Sequence, residues 1–171
     1  DSFVPPEEEP IIRRNEKRLK IALVNRQNAR KLLNALDAHE RIAAAFPEHE
    51  VSLHQLNGTL QGMLDFLPHV DVLVSPHGSQ LTGIMFMQKC SAVLEMFPHL
   101  YYTPFYFSSL ARLFQLPHAN WYVSNATVPL SQLPIQTRLA NTNNNMCPST
   151  DRLVSAVSEL IQRRQDCLDS L

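Results

Sequence analysis

An apolar run from Val70 to Ser75 leads straight into a tight turn, and this junction constrains the fold more than any other part of the sequence. The run has the length and composition of a buried parallel strand. The turn Pro76–Ser79 follows it, and apolar residues at helical spacing come next. The junction therefore predicts a strand, a tight turn and the start of a helix.

The predicted turn is suited to an anion. Backbone N–H groups are free at the start of a helix, where the helix dipole is positive. The His77 imidazole and the hydroxyls of Ser79 and Thr82 lie nearby in the sequence. A further apolar strand, Ala92 to Met96, carries Glu95, and carboxylates at this edge of such sheets commonly bind ribose hydroxyls. The pattern predicts a nucleotide diphosphate as the ligand.

Strand-like and helix-like segments alternate along the chain. We predict five strands, at Leu19–Asn25, Glu50–Leu56, Val70–Ser75, Ala92–Met96 and Asn120–Val123. We predict helices at Asn28–Phe46, Leu60–Phe66 and Tyr106–Phe114, and an amphipathic closing helix over residues 151–168. A segment rich in Pro, Asn and Thr, which ends at Pro148, is expected to wrap the surface. The repeated βα order predicts an α/β fold with a Rossmann-like, doubly wound parallel sheet.

Length and charge limit the classes of function. A chain of 171 residues, 44% of them hydrophobic, buries one good core, so it forms one domain or about half of a two-domain enzyme. Residues 1–18 have the composition of a linker, and residues 19–171 are the predicted domain. We expect a fragment cut at an interdomain connection. A net charge of −1 gives no support for a nucleic-acid or anionic membrane surface.

Several residues of the junction form a recognisable motif. His77-Gly78, Leu81-Thr82 and Phe86, continued to Val93 and Glu95, resemble the signature of the family-61 glycosyltransferases. These are inverting enzymes of the GT-B architecture that use nucleotide sugars. The resemblance covers roughly Lys20 to Val123. It includes a strand followed by an RxxxRxxxN segment, and a helix followed by an aromatic strand, which here are Ile21–Asn34 and Tyr106–Tyr122.

The resemblance implies the C-terminal, donor-binding half of such an enzyme. The implied donor-binding residues are Arg26, Arg30, His77, Gly78, Ser79, Leu81, Thr82 and Glu95. It further implies UDP as the nucleotide, xylose, arabinose or N-acetylglucosamine as the sugar, and a glycan or glycoprotein hydroxyl as the acceptor. No cofactor or metal is expected, because an arginine fork can offset the charge of the diphosphate. The general base is expected on the missing N-terminal domain, so no catalytic residue is assigned in this segment.

Arg26 and Arg30 are four residues apart, and Asn34 continues the spacing. If the helix has begun by Arg26, this spacing places all three on one helix face. The alternative interpretation is an ordinary solvated basic face. Similarly, His77 could be a loop histidine bonded to a carbonyl, and Glu95 could pair with a surface base.

Signals of cellular location agree with one another. Asn57 and Asn125 each begin a glycosylation acceptor triplet, which favours the lumen of the Golgi or the ER. Any membrane association is expected only through an anchor outside this segment. The chain has three cysteines, so they cannot all pair in disulfides within it. One option is a bridge between Cys147 and Cys167.

Departures from the family pattern support a competing hypothesis. The family usually has Ala-Gly where Ser79-Gln80 stand, Asn at Gly83, and Pro-Gly where Lys89-Cys90 stand. These changes suit a non-catalytic, degenerate Rossmann-like interaction module. The dinucleotide, P-loop and serine-hydrolase motifs are absent from the sequence, and the seven histidines are scattered without metal-ligand spacing. Tyrosines and phenylalanines at residues 101–107 are expected in the core, with base or sugar stacking as the alternative.

Overall fold

A five-stranded parallel sheet forms the centre of the molecule, in the order β2-β1-β3-β4-β5. The computed structural model describes residues 18–55, 59–103, 105–124, 132 and 134–171. The strands are β1 Lys20–Val24, β2 Glu50–His54, β3 Val72–Pro76, β4 Ala92–Phe97 and β5 His118–Tyr122. All five predicted strands are present, and the prediction of a doubly wound parallel sheet is confirmed.

Helices cover both faces of the sheet. They are α1 Ala35–Ala45, α2 Leu60–Phe66, α3 Phe105–Leu113, α4 Ile135–Ala140 and α5 Thr150–Asp169, with 3-10 helices at Leu67–His69 and Ser79–Phe86. α1 and α5 pack on one face, and α3 packs on the other with both 3-10 helices. Since β3 and β4 are buried along their whole length, their sequences are mostly apolar, interrupted only by Ser75 and Glu95.

The first helix begins later than predicted, at Ala35 rather than Asn28. The Asn25 side-chain oxygen accepts hydrogen bonds from the backbone N–H groups of Arg26 (2.8 Å) and Leu32 (2.7 Å). Arg30 adopts the left-handed conformation, with φ of 58°, which a helix does not allow. Arg26 and Arg30 therefore lie in a folded loop, and the prediction that they share a helix face is wrong.

The segment before α5 does more than wrap the surface. Its Met146 N–H donates to the Lys31 carbonyl (2.9 Å), and the Leu33 N–H donates to the Met146 carbonyl (2.8 Å). Met146 is buried. The end of the segment thus forms a short ladder with the loop after β1, and α4 within the segment is a helix that was not predicted from the sequence.

A disulfide joins Cys90, just before β4, to Cys167 near the end of α5. Cys147 is free and exposed, so the option of a Cys147–Cys167 bridge is wrong. Cys90 has φ of 67°, which explains why glycine suits this position in the family pattern. The triplet asparagines Asn57 and Asn125, and nearly all of the predicted linker, lie outside the described residues.

Candidate functional site

The strand order changes direction between β1 and β3, since β2 lies beyond β1 and the later strands lie beyond β3. In doubly wound sheets, ligands bind outside the carboxyl ends of the strands at such a point. Leu23 pairs with Val74, and Arg26 and His77 each follow three residues later. The two segments that the sequence singled out therefore meet at one edge of the sheet.

The Arg26 guanidinium lies directly against the main chain at Gly78. A Cβ atom added to Gly78 would be 1.6 Å from Arg26 Nη1. Arg26 Nε donates to the Ala29 carbonyl (2.7 Å), and Nη1 donates to the Gln80 side-chain oxygen. Glycine permits this contact, because any side chain here would occupy the position of the guanidinium.

Arg30 joins the same turn from its other side. Its Nε donates to the His77 carbonyl (2.9 Å), and its Nη1 donates to the Thr142 carbonyl (2.7 Å). Its guanidinium carbon is 5.5 Å from the centroid of the Tyr101 ring, a cation–π distance. The ladder between the loop after β1 and the segment before α5 thus helps to hold Arg30 in place.

Among the described residues, the two arginines lack acidic partners. No carboxylate among the described residues pairs with either guanidinium. Burial, and then the positive charge of Arg30, lower the pKa of Arg26, while Tyr101 acts in the opposite direction. Two partly buried like charges without a counterion create a positive potential that favours an anion.

The helix predicted after the turn is present, and it is a 3-10 helix over Ser79–Phe86. Ser79 and Thr82 are exposed on it, whereas Leu81 is completely buried in the core. Leu81 is therefore corrected from a donor-binding residue to a core residue. The side chain of Gln80 folds back over the turn, and its Nε2 donates to the Pro76 carbonyl (2.7 Å).

His77 is buried, with its side chain 9% exposed, and its imidazole lies among aromatic rings. It stacks on Phe97 with the centroids 4.9 Å apart, and it contacts Tyr101 edge-on at 5.4 Å. Its Nε2 is 3.3 Å from the Thr103 hydroxyl. Tyr101 thus touches both His77 and Arg30, so the imidazole and the Arg30 guanidinium share a neighbour.

The neighbouring aromatic cluster divides between core and surface. Phe107 is buried beneath His77, as the core interpretation predicted. Phe105 and Tyr106 are largely exposed, and Tyr106 lines a groove of about 400 Å³ together with Thr82. The core interpretation is therefore wrong for these two residues.

Glu95 has no exposed surface. One carboxylate oxygen accepts a hydrogen bond from His77 Nδ1, and the other accepts one from His118 Nε2 (3.1 Å). This arrangement does not present Glu95 to a ribose, so its predicted role is corrected to a buried partner of two histidines. His118 was missed, because a lone histidine before a strand carries no signal of its partner.

The described residues contain no group of three or more His, Cys, Asp or Glu side chains placed to hold a metal ion. None of the helices in the described part of the chain is long and apolar enough to cross a membrane.

Comparison with known proteins identifies the family. The sequence profile described as glycosyltransferase 61 matches residues 7–94, just over half of the chain. The chain belongs to the glycosyltransferase 61 family. The match includes the arginine loop and the His77-Gly78 turn, and it ends one residue before Glu95. Glycosyl transfer is the general activity of this family. No curated protein matches the chain significantly.

Similar solved structures show the fold alone. A diflavin flavoprotein A3 from Nostoc sp. aligns with a TM-score of 0.51 and 11% identity, over 88% of this chain and 99% of that one. A flavo-di-iron protein from Thermotoga maritima aligns with a TM-score of 0.49 and 10% identity, over 88% of this chain and 37% of that one. The first likeness is consistent with a flavodoxin-like strand order.

Proposed function

We propose that this chain is the nucleotide-sugar-binding half of an inverting GT-B glycosyltransferase. It would move xylose, arabinose or N-acetylglucosamine from a UDP-sugar to a hydroxyl of a glycan or glycoprotein. The observation that carries the proposal is the convergence of Arg26 and Arg30, without acidic partners in the described structure, on the turn at His77-Gly78. Such a site suits a diphosphate.

The chemistry of the transfer calls for positive charge at this point. The acceptor oxygen attacks the anomeric carbon while the bond between that carbon and the diphosphate oxygen breaks. Negative charge then accumulates on the departing diphosphate. Arg26 and Arg30 would offset that charge, and the exposed Ser79 and Thr82 hydroxyls would add hydrogen bonds.

His77 would contact the same diphosphate through Nε2. Because Glu95 accepts from Nδ1, only Nε2 remains for a ligand, and a phosphate oxygen would take the place of the Thr103 hydroxyl. Protonated at Nε2, the ring would donate to the departing phosphate. In this proposal, the general base and most of the acceptor site would lie on an N-terminal domain of the same protein.

The groove beside Tyr106 offers a place for the rest of the donor. It lies between the 3-10 helix Ser79–Phe86 and α3, and its volume is about 400 Å³. Tyr106 is exposed there and contacts the His77 ring, so a base or sugar could stack on it next to the diphosphate.

We place the protein in the lumen of the Golgi or the ER. The Cys90–Cys167 disulfide supports this location, since disulfides persist in oxidising compartments. The two acceptor triplets for glycosylation point the same way. A membrane anchor, if the protein has one, is expected outside this segment.

Titration of the full-length protein with UDP tests the proposal. Arg26→Gln and Arg30→Gln should each weaken UDP binding by about tenfold or more, the loss expected for a charged hydrogen bond. Arg41→Gln is the matched control, because Arg41 pairs with Asp151 on the surface. Equal affinities in all four proteins would contradict the proposed site.

The alternative, a non-catalytic module, has one structural observation in its favour. The Gln80 side chain occupies the turn where the family pattern has glycine, and it bonds to Arg26. Under the transferase proposal, Gln80→Gly should strengthen UDP binding by removing this competitor. If neither the wild type nor Gln80→Gly binds any member of a panel of UDP-sugars, the non-catalytic module is favoured.

A further inference from the structure

A buried chain of three side chains runs through the face of the sheet that α3 covers. Glu95 on β4 lies at its centre, with His77 at one end and His118 at the other. His118 begins β5 and pairs with Val93 in the register of the sheet. Its side chain is almost fully buried.

The chemistry of the central group fixes where protons lie. An ionised carboxylate is only an acceptor, so each imidazole nitrogen bonded to it must carry hydrogen. A carboxylate at Glu95 thus assigns hydrogen to Nδ1 of His77 and to Nε2 of His118, the two nitrogens that contact it. As a result, Nε2 of His77 is the atom turned toward Thr103 and the candidate site.

His118 supplies a hydrogen bond that the carboxylate needs. Since Glu95 has no exposed surface, water does not satisfy its second oxygen. Without a donor there, the buried oxygen would be left unpaired, and the carboxylate would be free to turn away from His77. The aromatic rings around His77 hold the ring in place but cannot select its tautomer.

We infer that His118 is a positioning residue of the donor site, acting through Glu95 to hold the Nδ1–H of His77 in place, so that Nε2 faces the bound diphosphate and donates to it once the ring takes up a second proton. The inference rests on the proposed function. His118 itself lies away from the arginines, where it lines a separate cavity of about 430 Å³ beside Cys167. It is therefore a support for the site and not a ligand contact.

Nitrogen NMR of the histidine rings tests the inference directly. In protein labelled with ¹⁵N, two-bond proton–nitrogen correlations show which ring nitrogen carries hydrogen. The wild type should show hydrogen on Nδ1 of His77. His118→Gln should keep this pattern, because a glutamine amide nitrogen reaches about as far as Nε2 of histidine and donates to the same oxygen.

His118→Asn is the matched variant that removes the bond while it keeps a polar side chain. The asparagine amide falls short of Glu95, so His77 should no longer hold a single tautomer, and UDP affinity should fall by about tenfold. His99→Gln serves as a control for the assignment, because His99 bonds to Ser124 and not to this chain of residues.

The outcomes separate this inference from the proposed function. A bare Nδ1 on His77 in the wild type, or a His118→Asn ring pattern identical to the wild type, would overturn the positioning role. The arrangement of protons on the rings does not depend on the ligand. If the ring patterns are as expected but the protein does not bind UDP, the proposed function is wrong. If His118→Asn fails to fold, His118→Gln still tests the role, because a changed His77 pattern or a weaker UDP affinity in this variant, whose amide can donate to the same oxygen, would overturn it.

Discussion

Arg26 and Gly78 form the contact on which the candidate site depends. The absence of a Cβ at Gly78 lets a charged guanidinium lie against the main chain, beside the exposed start of the 3-10 helix. Gly78 is extended, so this glycine is required for space and not for an unusual conformation. An anion at this point meets side-chain and backbone donors together.

Gly78→Ala should displace Arg26 without unfolding the protein. Its Cβ would meet the tip of a flexible side chain, which can move away. We expect UDP binding to weaken by about tenfold, the loss of a charged hydrogen bond, and stability to change little. Titration calorimetry and urea unfolding of the same sample measure the two quantities.

Gly83→Ala is the matched comparison, because its Cβ would be 2.4 Å from a Leu67 methyl group in the core. This overpacking should lower the free energy of unfolding by about 1 to 3 kcal/mol. A loss of stability in Gly78→Ala with no loss of UDP affinity would contradict the assigned roles.

The residue types of the site could be predicted from the sequence, but some of their partners could not. His77, Gly78 and the arginines stand out because they interrupt apolar patterns at the ends of strands. The bond between Glu95 and His118 joins residues 23 positions apart, and it depends on the register of two strands. Leu81 was assigned to the ligand because a motif does not show which side of a helix is buried.

At the scale of elements, the loop after β1 is held by side chains and not by helical hydrogen bonds. Asn25 bonds to both ends of the turn, and its amide also donates to the Leu32 carbonyl (3.0 Å). The sequence could not show this, because an asparagine before RxxxR also fits the start of a helix. Strands β1, β3 and β4 were predictable because they are mostly apolar runs between turn residues, whereas β2 was predicted from an imperfect alternation of apolar residues.

Asn25→Ala should loosen this loop. Three hydrogen bonds are lost, so we expect the free energy of unfolding to fall by about 2 to 3 kcal/mol. Asn34→Ala, which loses one described bond to the Pro148 carbonyl (2.9 Å), should cost about 1 kcal/mol. Urea unfolding measures both, and equal losses would contradict the role given to Asn25.

β2 carries a group that should make stability depend on pH. Burial lowers the pKa of His54, whose ring is 4.3 Å from that of Phe66. The His54 ring therefore takes up a proton more readily in the unfolded chain than in the folded one. Its contribution to the free energy of unfolding is lost as pH falls below the ordinary histidine pKa of about 6.5. The stability advantage of wild type over His54→Gln should shrink between about pH 7.5 and about pH 5.5. If urea unfolding shows the same difference in stability between wild type and His54→Gln at both pH values, the lowered pKa of His54 does not contribute to stability.

At the scale of the whole molecule, α5 is fastened to the sheet at several points. Arg164 on α5 forms a buried ion pair with Asp71 (2.6 Å), and Cys167 is joined to Cys90. Asp71 also accepts from the Lys20 N–H at the start of β1 (2.9 Å). The helix was predictable from its apolar stripe, but the disulfide was not, since three cysteines allow three pairings.

Reduction of the Cys90–Cys167 disulfide should destabilise the protein. The bridge spans a sequence separation of 77 residues. Closing a loop of this length restricts the unfolded chain, which stabilises the folded protein by about 4 kcal/mol. We expect the midpoint of urea unfolding to fall in the Cys90→Ala, Cys167→Ala double variant, with Cys147→Ala unchanged because Cys147 is free. Identical midpoints in all three would show that the bridge contributes nothing.

The most direct test of the account is an amide NMR titration of the protein with UDP. The account predicts saturable shifts at Arg26 to Lys31 and at His77 to Thr82, the two segments that meet at the edge of the sheet. The same titration of Arg26→Gln should need about tenfold more UDP. Shifts confined to other parts of the sheet, or no shifts at saturating UDP, would contradict the central claim that this edge binds a nucleotide diphosphate.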